Sequence, residues 1–264
     1  MSKTILITGS NTGIGLLAAI QIAKAGHQVY VHARNGEKLA ATIQEVRSQS
    51  GNEHIAGFVA DLSDLTQVRA MAQQITEQLP QLDVLINNAG VFNSPQKLNA
   101  DGLDLRYVVN YLAPYLLTKE LLPLLQKSTA PRVINLSSAA QAPVDHAVMA
   151  GKAQASERQT YAQSKLALTQ WSVHLAKTQP ELFVVPVNPG SLLNTRMVRE
   201  AFGQHWGPAD KGATILRELV LNAYPAERSG AYYDNDQGSF GHAHADAYQD
   251  ASQLIAATED LIGG

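Results

Sequence analysis

The chain has 264 residues, of which 45% are hydrophobic, 6% aromatic and 16% charged, and its 20 basic and 23 acidic side chains leave a net charge of −3. That length fits one large domain or two small ones and is ample for a core without covalent staples. The absence of cysteine excludes disulfides, thiolate nucleophiles and cysteine-ligated zinc, and it fits a reducing compartment, read here as the cytoplasm.

Met1-Ser2-Lys3 leads straight into a short apolar run, too short for the apolar region of a signal peptide. Further short apolar runs follow at 28–32, 54–60, 83–86, 132–136 and 182–187, several of them apolar on both faces, as buried parallel strands are. Between them, residues 13–25, 36–49, 64–79, 101–127 and 158–179 carry apolar side chains at helical spacing. Beyond Val187 the pattern predicts an irregular stretch, a helix near 209–223, a short strand near 230–233 and one helix near 245–260. Strands alternating with helices imply right-handed crossovers and an α/β, doubly wound parallel sheet in a single domain, 1–264. No apolar stretch approaches the ~20 residues of a membrane span, and no like-charge run suggests a nucleic-acid partner.

The first strand enters Gly9-Ser10-Asn11-Thr12-Gly13-Ile14-Gly15, and a helical pattern follows at once. A glycine turn between strand and helix lets backbone approach a pyrophosphate and aims the free N–H groups of the helix start at it. The spacing is Gly9-x-x-x-Gly13-x-Gly15, longer than the common dinucleotide fingerprint. Later segments are Asn87-Asn88-Ala89-Gly90 after the fourth strand, Asn110 within a helix, and Asn135-Leu136-Ser137-Ser138 closing the fifth strand. Tyr161-Ala162-Gln163-Ser164-Lys165 and Asn188-Pro189-Gly190 complete the series.

Taken in this order, the motifs resemble those of the short-chain dehydrogenase/reductase family over about residues 3–195. The resemblance implies a Rossmann-type sheet of about seven strands with helices on both faces, and a variable, substrate-facing part over roughly 190–264. It implies an oxidoreductase that moves a hydride between nicotinamide and an alcohol/carbonyl pair, with a small-molecule substrate and a homo-dimeric or homo-tetrameric assembly. The implied cofactor wall comprises Gly9, Ser10, Asn11, Thr12, Gly13, Ile14, Gly15, Arg34, Asp61, Leu62, Asn88, Ala89, Gly90, Tyr161, Lys165, Pro189, Gly190 and Thr195. The implied catalytic set is Asn110, Ser138, Tyr161 and Lys165, with no metal.

Physical chemistry bears on several of these residues independently. Tyr161 and Lys165 lie one helical turn apart on one face, so the ammonium is expected to depress the phenol's pKa and to reach the nicotinamide ribose. The resemblance implies a substrate-oxygen donor three residues after the asparagine of this strand, which counted from Asn135 is Ser138 rather than Ser137. Asn110 is expected to hold a proton-relaying water, to cap a backbone bulge, or both. At the end of the second strand, Val31-His32-Ala33-Arg34-Asn35 offers no carboxylate for a 2′-hydroxyl, whereas Arg34 suits a 2′-phosphate; NADP is therefore favoured, with NAD the alternative. For Asp61 the resemblance implies an adenine contact, whereas its place before a helix equally suits an N-cap.

The interval from Ser138 to Tyr161 is longer than the family's usual one, similar to retinol-dehydrogenase-like members, and residues 141–158 are expected to form a lobe or flap beside the substrate mouth. Leu192, Leu193, Met197, Phe202 and Trp206 hint at an apolar substrate, and Trp171 lies on a helix whose outer face builds subunit interfaces in the family. His242-Ala243-His244 with Asp246 lacks a fourth metal ligand, and Asp234-Asn235-Asp236-Gln237-Gly238 lacks calcium-loop spacing. Two other functions compete with the oxidoreductase reading. They are an epimerase or dehydratase, disfavoured by the glycine spacing, and a cofactor-sensing protein without turnover, disfavoured by the presence of both Tyr161 and Lys165.

Overall fold

The structure is a computed structural model that describes residues 2–203 and 207–263. The first half alternates strand and helix: β1 Thr4–Ile7, α1 Gly13–Lys24, β2 Gln28–Ala33, α2 Gly36–Ser50, β3 Ile55–Val59, α3 Leu65–Gln78 and β4 Val84–Asn87. A three-residue helix α4 (Leu105–Tyr107) then continues through a π turn, Val108–Leu112, into α5 (Ala113–Leu125). β5 (Arg132–Leu136), α6 (His146–Met149), α7 (Glu157–Thr178), β6 (Phe183–Asn188), α8 (Arg196–Phe202) and α9 (Asp210–Leu221) follow. The chain closes with β7 (Tyr232–Asp234), β8 (Ser239–Gly241) and α10 (Ser252–Ile262).

Among the described residues the eight strands form one sheet in the order β3-β2-β1-β4-β5-β6-β7-β8. The pairs are parallel except β7 with β8, which is a hairpin. The sheet thus has one strand more than the seven expected; Ser239-Phe240-Gly241 is too short to announce itself by alternation. Side-chain alternation sorts the core into two layers. Ile5 and Ile7 pack with α1 and α9 on one face, while Leu6 packs with α3, α5, α7 and α10 on the other. Single-domain architecture with helices on both faces follows from that sorting.

Local chemistry sets the helix ends. Asn35, Asp64 and Asp104 accept hydrogen bonds from first-turn N–H groups, and Ser156 with Gln159 forms a reciprocal capping box at the start of α7. The cap before α3 is therefore Asp64; Asp61 instead accepts from the N–H and hydroxyl of Ser63. The stretch after β6, expected to be irregular, contains α8, which Thr195 caps through Val198 N–H. Near the C-terminus, the single expected helix divides into a 3-10 turn at Ala245–Tyr248 and α10. Crossovers run in opposite directions from β1 and β4, so a crevice opens at their carboxyl ends, where such sheets bind ligands.

Candidate active site

The glycine loop is stitched to its neighbours on two sides. Thr8 Oγ1 accepts from the N–H groups of Asn88 and Ala89, at 3.0 and 3.1 Å, and Asn88 Nδ2 donates to the carbonyls of Thr8 and Gly9. A Cβ on Gly15 would stand 2.3 Å from Asn88 Nδ2, and one on Gly9, at φ +60°, would stand 2.8 Å from Ala89 Cα. Glycine is required at both positions by close approach, and at Gly9 also by the left-handed backbone. On the other side, Gly9 N–H donates to His32 Nδ1 at 2.9 Å, while His32 Nε2 lies 3.0 Å from Ala60 O. These partners place the ring proton on Nε2, and burial pulls the His32 pKa down to about 4.

The crevice is a cleft of about 770 Å³. Its wall includes Gly9, Asn11, Thr12, Gly13, Ile14, Gly15, Arg34, Asp61, Leu62, Asn88, Ala89, Gly90, Tyr161, Lys165, Pro189 and Thr195. Ser10, Asn110, Ser138 and Gly190 stand apart from that wall, which Ser137 joins. Ser10 is fully buried beneath the loop, donating to Ile7 O and accepting from His32 N–H, so its part is to fix loop shape. Gly190 supplies a turn at φ +123° behind Pro189.

The residues present fit a dinucleotide. The first turn of α1 has no side-chain cap from Thr12, which leaves its N–H groups to a ligand, and the glycine cradle is the shape a pyrophosphate needs. Sequence reasoning missed Lys38, which joins Arg34 on the wall at the end of β2. Among the described residues neither cationic head has a salt-bridge partner. The signal was available, since Arg34 and Lys38 are four residues apart at a helix start.

At the other end of the cleft, Lys165 is 4% exposed and its Nζ donates to Leu136 O at 2.6 Å. Burial lowers its pKa to about 7. The Tyr161 ring lies beside it, with Nζ 5.7 Å from the ring centroid, and Phe92 packs against the same ring at 4.7 Å. Contrary to the expectation of a depressed phenol, burial raises the Tyr161 pKa, opposed by a hydrogen bond with Ser138. Desolvation wins because Lys165 is itself desolvated and close to giving up its charge at neutral pH.

The choice between the two serines is physical. Ser137 is buried, with its hydroxyl committed to Thr169 Oγ1 and Lys165 O, whereas Ser138 Oγ meets Tyr161. Asn110 sits in the π turn, a feature frequent at functional sites. Its Oδ1 accepts from Val91 N–H at 2.8 Å, and its Nδ2 donates to Val91 O and Ser164 Oγ. That side chain clasps the segment after Gly90. A Cβ on Gly90 would lie 3.4 Å from Asn110 Oδ1, 3.5 Å from Lys165 Nζ and 3.6 Å from Met197 Cε, so all three converge on one bare backbone position.

Of residues 141–158, expected as a lobe or flap beside the substrate mouth, Glu157 lines the cleft and residues 141–156 stand away from its wall. They fold into a lobe against residues 99–107: Val148 and Met149 enter the core, and Gly151 backs onto Gly102 O. Buried Arg106 closes the lobe, donating to Thr160 Oγ1 and pairing with Asp104 and Glu157. Trp206 lies outside the described residues, as does the Phe202 side chain. Trp171 is 4% exposed, ringed by Tyr111 and Tyr115 under α10. Among the described residues no cluster of potential metal ligands occurs, and no helix is long and apolar enough to cross a membrane.

Known proteins are similar to this chain in sequence, and solved structures are similar to it in fold. The family described as short chain dehydrogenase matches residues 3–206. Retinol dehydrogenase 13 of Homo sapiens is 34% identical over 99% of this chain and 85% of its own length. Retinol dehydrogenase 12 of Mus musculus is 30% identical over 99% of this chain and 86% of its own. Among solved structures, a protein of uncharacterised function from Mycobacterium paratuberculosis superposes with a TM-score of 0.79 at 26% identity, covering 99% of this chain and 93% of that one. A short-chain dehydrogenase from Shigella flexneri, solved with NADP, gives 0.72 at 27% identity over 89% of this chain and 97% of that one.

Proposed function

The chain belongs to the short-chain dehydrogenase/reductase family and is an NAD(P)-dependent oxidoreductase, and from that premise we propose that it prefers NADP(H) and acts on an apolar alcohol/carbonyl pair. Arg34 and Lys38, two unpaired cations on the wall at the end of β2, carry the cofactor preference. A guanidinium forks onto a phosphate, and an ammonium adds a second charge. Asp61, a carboxylate on the same wall, accepts the Ser63 N–H and hydroxyl through its Oδ1. The Shigella relative solved with NADP supports the same choice.

When bound, the nicotinamide supplies or accepts the hydride. The protein's own contribution is proton handling and orientation. Tyr161, held as a neutral phenol by burial, gives its proton to a carbonyl oxygen, and the Ser138 hydroxyl donates to that oxygen beside it. Lys165, its pKa lowered to about 7 by burial, would hold the ribose of a bound cofactor and return a proton towards Tyr161. Asn110 holds the Val91 backbone that borders these groups. Val91, Phe92, Leu105, Val109 and Met197 line the cleft and suit an apolar substrate body. The cysteine-free composition supports a reducing, cytoplasmic setting. The clustering of Tyr161, Ser138 and Lys165 supports turnover over a sensing role.

The test is to titrate NADPH and NADH by nicotinamide fluorescence into the wild type, Arg34→Ala and Lys38→Ala. Loss of a charge-assisted contact should weaken NADPH by about 1.5–3 kcal/mol for Arg34, roughly tenfold or more, and leave NADH nearly unchanged. Equal small losses for both cofactors, or a wild type that prefers NADH, would overturn the preference. In parallel, Tyr161→Phe should lower aldehyde reduction by ~10²-fold or more while binding NADPH within a few-fold. Near-normal turnover in that folded variant would remove Tyr161 from the chemistry.

A further inference from the structure

Ser138 leaves β5 into a turn whose next two residues, Ala139 and Ala140, are exposed, so no sheet ladder holds it. Its hydroxyl accepts from Ala140 N–H at 3.1 Å and meets Tyr161. What fixes its backbone comes from outside the sheet ladder. The Ser138 carbonyl accepts two hydrogen bonds at 3.0 Å, one from the Tyr232 hydroxyl on β7 and one from Gln141 Nε2. Gln141 is anchored in turn, because its Oε1 accepts from His244 N–H at 3.0 Å. Asp246 N–H then closes onto His244 Nδ1 at 3.3 Å, so His244 serves a hydrogen-bond chain.

Tyr232 is 3% exposed, and its hydroxyl is a dependable donor, since burial and the nearby Asp234 and Asp236 push its ionisation far above the physiological range. A carbonyl gripped by two buried or half-buried donors sets the plane of the following peptide and the Cα–Cβ direction of its own residue. For a hydroxyl that must meet both Tyr161 and a substrate oxygen, displacement on the ångström scale is worth large factors in rate. The geometry points to Tyr232 and Gln141 as positioning residues that hold Ser138 in register with Tyr161, making the C-terminal strand and tail part of the active-site support. This inference rests on the catalytic reading of Ser138 and Tyr161.

The experiment uses the full chain with para-nitrobenzaldehyde, hexanal and decanal as probes and NADPH as reductant. Tyr232→Phe, which deletes only the hydroxyl, should lower kcat by roughly five- to tenfold with NADPH affinity within twofold. Gln141→Met, which keeps the volume and removes the donor, should act in the same direction. In a Ser138→Ala background, Tyr232→Phe should cost nothing further, because the residue it positions has gone. A second readout is independent of turnover. The Cζ shift of labelled tyrosine, with Tyr161→Phe as the assignment control, should show the Tyr161 titration moving upward in Tyr232→Phe as it does in Ser138→Ala. Unchanged kcat and an unmoved Tyr161 titration would overturn the inference, as would an equal loss of kcat in the Ser138→Ala background. If the wild type reduces none of the three aldehydes, the proposed activity fails on these probes while the titration still decides the positioning role.

Discussion

His32 shows how one side chain couples three strand ends. Its Nδ1 holds the glycine loop after β1, its Nε2 holds Ala60 after β3, and its own backbone belongs to β2. A proton on Nδ1 would face Gly9 N–H donor against donor, so the loop survives only while the ring is neutral. The linkage has a definite sign. With a folded pKa of about 4 and an unfolded value near 6.5, the unfolded chain binds more protons across that window. Stability from neutral His32 is complete above pH 6.5 and is lost as pH falls towards 4, by up to about 3 kcal/mol. Urea unfolding of wild type and His32→Asn should therefore show a gap that narrows as pH falls through this range. A gap that ignores pH would mean that the ring is not the acid-sensitive part. In the sequence, His32 was a neighbour of Arg34 and no more, because its partners lie 23 and 28 residues away and no spacing encodes such contacts.

At the scale of elements, buried amides join sheet to helices. Asn87 Nδ2 donates to Asn135 Oδ1 at 2.8 Å and to Thr118 Oγ1 at 3.1 Å, and Asn135 Nδ2 donates to Ser172 Oγ at 2.8 Å. The chain ties the ends of β4 and β5 to α5 and α7, the helix that carries Tyr161 and Lys165. Asn135→Ala would leave Asn87 and Ser172 with buried, unmatched groups, costing about 1–3 kcal/mol. Thermal unfolding checks the loss, and a variant of unchanged stability would show that the network contributes nothing. The alternation of strands and helices was legible from period and glycine punctuation, as were the glycine loop, the Asn-Asn-Ala-Gly turn and the Tyr161–Lys165 pair. Less legible were the features that depend on tertiary partners. The π turn arises because Asn110 reaches Val91; α8 depends on the Thr195 cap; and the lobe at 141–156 turns inward because Val148 and Met149 find the core.

Across the whole molecule, the chain's own C-terminus covers the outer face of α5 and α7. Tyr111 and Thr258 share a hydrogen bond at 2.7 Å, Tyr115 donates to Glu259 at 2.5 Å, and Lys119 pairs with the same carboxylate. Arg69 on α3 reaches Ile262 O, completing the seam. Leu254 and Ile262 join the core cluster that contains Trp171. A second copy has no access to this face while α10 is seated. The resemblance implies a dimer or tetramer; with α10 seated, Trp171 should be shielded from quenchers whatever mass light scattering gives. Leu254→Arg should unseat α10, expose Tyr115 and Trp171, and drive self-association. A wild-type dimer in which Trp171 is equally protected from quenchers would show that partners assemble through another face.

The grip on Ser138 also sets an order of events during synthesis. Tyr232 follows Ser138 by 94 residues, and His244 follows Gln141 by 103. At ~5–20 residues per second, Ser138 leaves the ribosome roughly five to twenty seconds before its support exists. The glycine loop, the end of β2 and the Asn-Asn-Ala-Gly turn lie within the first 90 residues and meet much earlier. A growing chain therefore completes the pyrophosphate end of its nucleotide cradle well ahead of the support for Ser138. Ribosome-stalled chains of increasing length should show nucleotide retention at shorter lengths than aldehyde reduction, and simultaneous onset of both would refute that order.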